Sequence, residues 1–182
     1  MPVRPLSELE GVVLGIVWKF GPCTPHAIRT HFLTSRSARF SGSAGAIYPL
    51  VSRLDARGLL CSRRDIHSRQ RRSLYEVTSN GKRLLQKWLG ELSEGDLGAL
   101  HDPIRIRIYF LAALSLENRR RFLEEARDGL LRTLKLLQTD LADYRERNSH
   151  LSALATQGAI DLTRAQLRWL STCGRVLFKE PL

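Results

Sequence analysis

The sequence predicts a mainly α-helical protein in two parts, with a short antiparallel ribbon near the end of the first part. Three observations carry this prediction. Apolar residues recur at helical spacing over most of the 182 residues. The spacing of apolar residues is no longer helical between residues 59 and 77, where two short strand-like runs flank a polar tip. Glycines at positions 90, 95 and 98 then mark a boundary region around residues 93–101.

Two helices with clear start signals open the chain. Ser7 and Glu10 have the spacing of a capping box, and Gly21-Pro22 stops the helix that follows. Thr24 is a suitable cap for the second helix, with Pro25 at the first helical position. Each helix carries apolar residues on one face, so each is expected to pack on a core.

A third helix is predicted within the stretch SGSAGAIYPLVSRLDARGLL, residues 41–60. Proline costs little in a first turn, so Pro49 indicates that the helix begins close to Gly45–Tyr48, or is kinked if it begins sooner. Gly58 suits the position after the helix end. The core face of this helix comprises Ile47, Leu50, Val51 and Leu54, whereas Tyr48, Ser52 and Arg53 fall largely on other faces.

A basic ribbon follows the third helix. LLCSRRDI and RRSLYEV each have strand-like patterns, and HSRQ separates them. Five arginines crowd this ribbon and its tip, namely Arg63, Arg64, Arg69, Arg71 and Arg72. Helical spacing returns after Thr78, with Leu84, Leu85, Trp88, Leu89 and Leu92 expected on the buried side.

The second part is predicted to be helical. Asp102-Pro103 is a helix start, and the spacing of Ile104, Ile108 and Leu111 favours a helix over the strand that IRIRIYFL also suits. Residues 115–147 form a long helix with a coiled-coil-like apolar seam. The last helix, roughly 151–178, has two apolar sides and therefore requires burial on two fronts.

Three helices followed by a basic two-stranded hairpin is the order of a winged helix-turn-helix. In that arrangement the third helix enters the major groove of DNA, and the hairpin, or wing, lies against phosphates or the minor groove. We therefore predict an N-terminal winged helix-turn-helix domain, residues 1–95, followed by a helical C-terminal dimerisation domain, residues 96–182.

The charge distribution agrees with a polyanionic partner for the first part. The net charge is +11, and residues 1–95 hold 15 Lys/Arg against 7 Asp/Glu, whereas residues 96–182 hold 14 against 11. A general richness in arginine would also give a basic protein, so charge alone leaves both interpretations open.

The sequence offers no pattern typical of an enzyme or a metalloprotein. Cys23, Cys61 and Cys173 are too far apart for a metal or redox pair, and the five histidines show no metal-ligand spacing. We predict no cofactor, no catalytic residue and no metal site. No stretch reaches the ~20 apolar residues of a membrane helix, so we expect a soluble cytoplasmic protein that does not engage a membrane.

Three segments resemble the PadR family of bacterial transcriptional regulators. They are LSELEGVVLGIVWKFGPCTPHAIRTHF, GSAGAIYPLVSRLDARGLL and RRSLYEVTSNGKRLLQKWL, which together cover about residues 6–92. DPIRIRIYFLAAL also resembles the opening of the larger C-terminal domain in that family. The resemblance implies a homodimer that binds palindromic operator DNA, more often as a repressor, in some relatives with a small-molecule effector.

Ten residues are candidates for contact with double-stranded DNA: Ser41, Ser43, Ala44, Gly45, Tyr48, Arg53, Arg64, Arg69, Arg71 and Arg72. For Tyr48 the alternatives are contact with DNA and half-buried packing under the helix. The serines and glycine also suit a plain loop and cap, and the arginines also suit a solvated surface.

Eight apolar residues are candidates for dimerisation: Leu123, Leu130, Leu134, Leu137, Leu141, Leu167, Trp169 and Leu170. For Trp88 and Trp169 the alternatives are ordinary packing and the lining of an effector pocket. Two other functions remain open for the whole chain. One is a protein-interaction adaptor built on a winged-helix scaffold, and the other is a non-specific, nucleoid-type DNA binder.

Overall fold

The computed structural model describes residues 4–36, 40, 43–64, 73–92, 94–97 and 102–178, without the side chains of residues 44, 94 and 95. The chain divides into two compact units, Met1–Ala99 and Leu100–Leu182.

The N-terminal unit contains helices and one two-stranded sheet. Among its described residues the elements are, in chain order, α1 (Glu8–Phe20), α2 (Pro25–Leu33), a 3-10 turn (Ala44–Ala46), α3 (Ile47–Ala56), β1 (Leu60–Arg64), β2 (Ser73–Val77), α4 (Ser79–Gly90) and α5 (Glu94–Leu97). The two strands are antiparallel, with Leu60 opposite Val77 and Arg64 opposite Ser73. This order confirms the predicted winged helix-turn-helix.

The predicted helix starts are confirmed by their hydrogen bonds. The backbone N–H of Glu10 donates to Ser7 Oγ over 3.3 Å, and the N–H of Ser7 donates to Glu10 Oε2 over 2.9 Å, which completes the capping box. The Thr24 hydroxyl accepts from the N–H of Ala27 over 3.1 Å. Helix α3 begins at Ile47, so Pro49 lies in its first turn, where the lack of an N–H costs little.

One hydrophobic core holds the N-terminal unit together. It is built from α1, α2, α3, β1 and α4, and its fully buried members include Val13, Leu14, Ile28, Phe32, Ile47, Val51, Leu54, Leu59 and Leu60. The wing is tied to this body by backbone hydrogen bonds between Cys23 and Tyr75, of 3.0 and 2.8 Å. Because Cys23 directly precedes α2, the base of the wing is fixed relative to the helix-turn-helix.

Helix α4 packs on α1 through a close contact but buries less of itself than its sequence suggests. Leu85 is buried, and a Cβ added to Gly11 would lie 2.5 Å from the ring of Trp88. The predicted burial of Leu89 and Leu92 is wrong, since both are mostly exposed. Leu92 follows the helix end, where the helical period no longer sets the direction of the side chain.

The C-terminal unit is helical, as predicted, and comprises α6 (Pro103–Tyr109), a 3-10 turn (Leu111–Ala113), α7 (Leu116–Glu146) and α8 (His150–Phe178). Asp102 caps α6 by accepting from the N–H of Ile104 over 2.9 Å, and its other oxygen accepts from Gln166 Nε2 over 2.8 Å. Burial would raise the pKa of Asp102, but these hydrogen bonds outweigh it and hold the pKa below its usual value. The carboxylate therefore ties the start of α6 to α8.

Helices α7 and α8 form an antiparallel hairpin. Asn148 makes the turn with a φ of +52°, a left-handed conformation that asparagine tolerates well. Of the residues predicted for the seam of α7, Leu123, Leu137 and Leu141 are buried, and the others are partly exposed. Leu137 and Leu141 pack against Ile160 of α8 in the same chain.

Candidate nucleic-acid interface

Helix α3 has one face in the core and one face in solvent. Its four apolar residues predicted for the core are all buried, with at most 2 % exposure. On the opposite face Tyr48, Ser52 and Arg53 are exposed, and Tyr48 retains 48 % of its accessible surface. The Ser52 hydroxyl donates to the carbonyl of Tyr48 over 3.2 Å. The helix thus presents an aromatic ring, a hydroxyl and a guanidinium outward, which are groups that contact phosphates and base edges.

The front end of α3 is unbulky and open. The 3-10 turn over Ala44–Ala46 leads into the helix, and Ser43 starts it with a carbonyl that accepts from the N–H of Ala46 over 3.0 Å. Gly45 is exposed, and a Cβ added to it would meet no atom of the described residues within 4 Å. Packing among the described residues therefore does not require a glycine at this position.

An open cleft of about 360 Å³ lies beside Tyr48. It is lined by the start of α2, by the aromatic ring on α3 and by the first residue of β2, namely Thr24, Pro25, His26, Tyr48 and Ser73. Sequence reasoning did not bring His26 and Ser73 together with Tyr48. The capping signal at Thr24 placed the start of α2, but only the folded chain brings that start beside α3 and the wing.

The wing presents its basic residues unequally. Arg63 is engaged across the sheet, with Nη2 2.7 Å from Glu76 Oε1. Arg64 ends β1 and is exposed. Tyr75 lies at the base of the wing, where burial and the charge of Asp55 raise the pKa of its hydroxyl. Of the predicted contacts, Ser41, Arg69, Arg71 and Arg72 lie outside the described residues.

The residues predicted for dimerisation fall into two groups, one buried within a single chain and one partly exposed. Leu123, Leu137, Leu141 and Leu170 are buried within the C-terminal unit. Leu130, Leu134, Leu167 and Trp169 are partly exposed. The first group is already buried in a single chain and needs no partner for its burial. A role in a dimer stays a prediction for all eight residues.

A second apolar side of α8 is exposed along the helix. Leu151, Leu154, Leu162 and Val176 recur at helical spacing and are between 52 % and 81 % exposed. Ile160, which packs against α7, lies on the opposite side of the same helix. We define Leu151, Leu154, Leu162, Trp169 and Val176 as the α8 stripe.

The C-terminal unit also has an apolar cleft of about 330 Å³. Its walls come from α6, the 3-10 turn, the start of α7 and the end of α8, with Leu111, Arg119, Cys173 and Val176 among them. Burial raises the pKa of the Cys173 thiol, which favours its uncharged form. Neither Trp88 nor Trp169 lines this cleft or the cleft beside Tyr48.

The described part of the chain holds neither a metal-binding cluster nor a membrane-spanning helix. Among these residues no three His, Cys, Asp or Glu side chains come together in a group able to hold a metal ion. The described helices include none whose length and apolar character suit a passage through a bilayer.

Comparison with sequence families gives two matches that follow the two units. Residues 13–87 match the Transcriptional regulator PadR-like family, and residues 100–177 match the family described as Virulence activator alpha C-term. No curated protein matches the chain.

Solved structures share the fold of the chain at low sequence identity. PadR of Bacillus subtilis in complex with operator DNA has a TM-score of 0.71 and 19% identity, covering 94% of this chain and 99% of that chain. The same protein in complex with p-coumaric acid has a TM-score of 0.54 and 20% identity, covering 93% and 94%. The virulence activator AphA of Vibrio cholerae has a TM-score of 0.66 and 16% identity, covering 90% and 94%.

Proposed function

Because the chain belongs to the PadR-like family of transcriptional regulators, we propose that it represses transcription by binding palindromic operator DNA as a homodimer. In this proposal α3 enters the major groove and the wing lies on the flanking backbone. The observation that carries it is the exposed face of α3, with Tyr48 and Arg53, next to an open cleft and the start of the wing.

The cleft beside Tyr48 supports a defined path for the DNA backbone. A phosphate running past α3 towards the wing would meet the start of α2, where the helix dipole favours negative charge. Thr24 and Ser73 offer hydroxyls and His26 offers a ring nitrogen on that path. We therefore add these three residues to the proposed contacts, beside Ser43, Gly45, Tyr48, Arg53 and Arg64.

For the homodimer, we propose that the α8 stripe meets its counterpart on a second copy. A soluble protein rarely leaves a continuous apolar stripe of this length in water. The sequence of α8 has two apolar sides, and the stripe is the side that is not buried within one chain. The predicted residues Leu130, Leu134 and Leu167 are partly exposed but do not belong to this stripe, since Leu134 packs on the core of the α7–α8 hairpin.

Replacing Leu154 and Leu162 together with aspartate is expected to yield folded monomers, because both side chains are exposed in one chain and would be charged in a dimer contact. Sedimentation velocity measures the mass, and the thermal midpoint checks the fold. Leu136→Asp is the matched control, since Leu136 is a 46 % exposed leucine outside the stripe. A double variant that sediments as a dimer would remove the α8 stripe from the interface.

We further propose that the regulator works in the cytoplasm, where bacterial chromosomal DNA lies, and that it has no catalytic activity. Its family consists of regulators, which are not a class of enzyme. A small-molecule effector is also proposed. PadR of Bacillus subtilis has been solved with p-coumaric acid, and the cleft of about 330 Å³ in the C-terminal unit has the size and apolar lining for a ring-sized ligand.

The direct test of the proposed function is binding of the protein to the DNA upstream of its own gene. We expect a gel shift that survives excess unrelated competitor DNA, because specific contacts add to the phosphate contacts. A nucleoid-type binder would be removed by the competitor and would depend steeply on salt. An adaptor that binds protein alone would give no shift at any salt concentration.

A further inference from the structure

A buried ion pair connects the end of α3 to the start of α1. Glu10 in α1 is only 3 % exposed, and its Oε1 accepts from Arg57 Nη1 over 2.8 Å and from Arg4 Nη2 over 2.5 Å. Arg57 Nη2 also donates to the carbonyl of Arg4 over 3.2 Å. Glu10 and Arg57 are 47 positions apart in the sequence, so this contact belongs to the tertiary fold.

The same carboxylate has a second task within α1. Its Oε2 accepts from the N–H of Ser7 and closes the capping box. Burial would raise the pKa of Glu10, but the Ser7 hydrogen bond and the charges of Arg57 and Arg4 outweigh it and lower the pKa. Glu10 is therefore ionised and held from two sides, which makes it a fixed anchor.

Arg57 is joined rigidly to α3. It is the residue at the C-terminal cap of the helix, and its N–H donates to the carbonyl of Arg53 over 3.0 Å. Gly58 follows with a φ of +66°, and the N–H of Leu59 returns to the carbonyl of Leu54 over 2.9 Å. A guanidinium mounted on this closed turn moves with the helix.

The remaining contacts of α3 with its unit are mostly apolar. Burial of its leucines, isoleucine and valine holds the helix on the core, but apolar burial is non-directional and tolerates small rotations and slides. A charge-assisted hydrogen bond has a preferred distance and angle. The ion pair therefore restrains the small rotations and slides of α3 that its apolar contacts allow.

We propose that Glu10 and Arg57 are positioning residues that fix the rotation and tilt of α3 and so set the sequence specificity of DNA binding. The inference rests on the proposed function. Neither residue needs to touch DNA. Base readout depends on side chains that reach base edges with good geometry, whereas phosphate contacts position the protein without reading sequence. Loosening the helix should thus weaken specific binding more than non-specific binding.

The test compares wild type with the double variant Glu10→Gln plus Arg57→Met. Glutamine keeps an acceptor for the Ser7 N–H, and replacing a buried ion pair with uncharged groups of similar volume is often neutral for stability. The readout is the ratio of Kd for a scrambled duplex to Kd for the duplex that wild type selects from random DNA. We expect an unchanged thermal midpoint and a ratio reduced roughly tenfold, comparable to the loss of one base contact.

A purely structural pair would leave that ratio unchanged in a folded double variant, and this result would overturn the inference. Arg57→Lys is the second variant should the double variant fail to fold. It keeps the charge but loses the fork that reaches both Glu10 and Arg4, so a ratio equal to that of wild type would also overturn the inference. Lys87→Ala breaks an exposed ion pair with Glu91 and is the control that should leave the ratio unchanged. If wild type selects no sequence, the proposed function itself fails.

Discussion

Replacing Gly81 with alanine is expected to lower the free energy of unfolding of the N-terminal unit by about 3 kcal/mol, at the upper end for a methyl group forced into a packed site. Gly81 lies in the first turn of α4, directly against the backbone carbonyl of Leu59. A Cβ at this position would overlap that oxygen. The overlapping atom belongs to the backbone, so it cannot move aside as a flexible side chain would.

The contact between Gly81 and Leu59 lies next to the turn that ends α3. The carbonyl of Leu59 accepts from the N–H of Thr78 over 3.1 Å, and the Thr78 hydroxyl donates to the carbonyl of Gly58 over 2.7 Å. Pushing α4 away would break these bonds and release the turn that ends α3. We therefore expect the Gly81→Ala variant to lose DNA binding at a lower temperature than wild type, close to its own reduced melting temperature.

Chemical denaturation measures the effect, and Gly90→Ala is the matched control. Gly90 lies in the same helix, but a Cβ there would meet no atom of the described part of the chain within 4 Å. The control is expected to stay within about 1 kcal/mol of wild type, in the stabilising direction, because alanine favours a helix. Equal stabilities of the two variants would contradict the packing described for Gly81.

The second large effect is expected from the wing. Replacing Arg71 and Arg72 together with alanine should weaken binding to matched and scrambled DNA by the same factor. It should also flatten the plot of log Kd against log salt by about two units per protomer, because each phosphate contact releases about one counterion. Fluorescence anisotropy between 50 and 200 mM salt, a range of about fourfold, gives both quantities.

The control for the wing variant removes the same charge elsewhere. Arg145→Ala with Arg147→Ala lowers the net charge equally, but these residues lie at the end of α7 in the other unit. This control should leave the slope within about half a unit of wild type if the wing holds the phosphate contacts. An unchanged slope for the wing variant would refute the role proposed for Arg71 and Arg72.

Local signals in the sequence were sufficient for most of the fold. The caps at Ser7, Thr24 and Asp102 lie within three residues of the N–H groups that they satisfy, so short patterns reveal them. Pro49 likewise sets the start of α3 by a local constraint on the backbone.

Contacts between distant elements could not be predicted in this way. Helical spacing shows that α7 has an apolar seam, but it does not distinguish α8 of the same chain from a second copy. The pair of Glu10 with Arg57 and the meeting of His26 with Tyr48 and Ser73 depend on how the helices cross. Neither residue type nor spacing gives a signal for them before the chain is folded.

The central claim is that this chain reads DNA sequence as a symmetric dimer, and selection from random double-stranded DNA tests it most directly. After several rounds with the wild-type protein, we expect one enriched motif with dyad symmetry. Its half-sites should lie about one helical turn, or about 10 base pairs, apart, because two copies of α3 would enter successive major grooves on one side of the duplex. A pool with no enriched dyad, or with enrichment that follows base composition alone, would contradict the account.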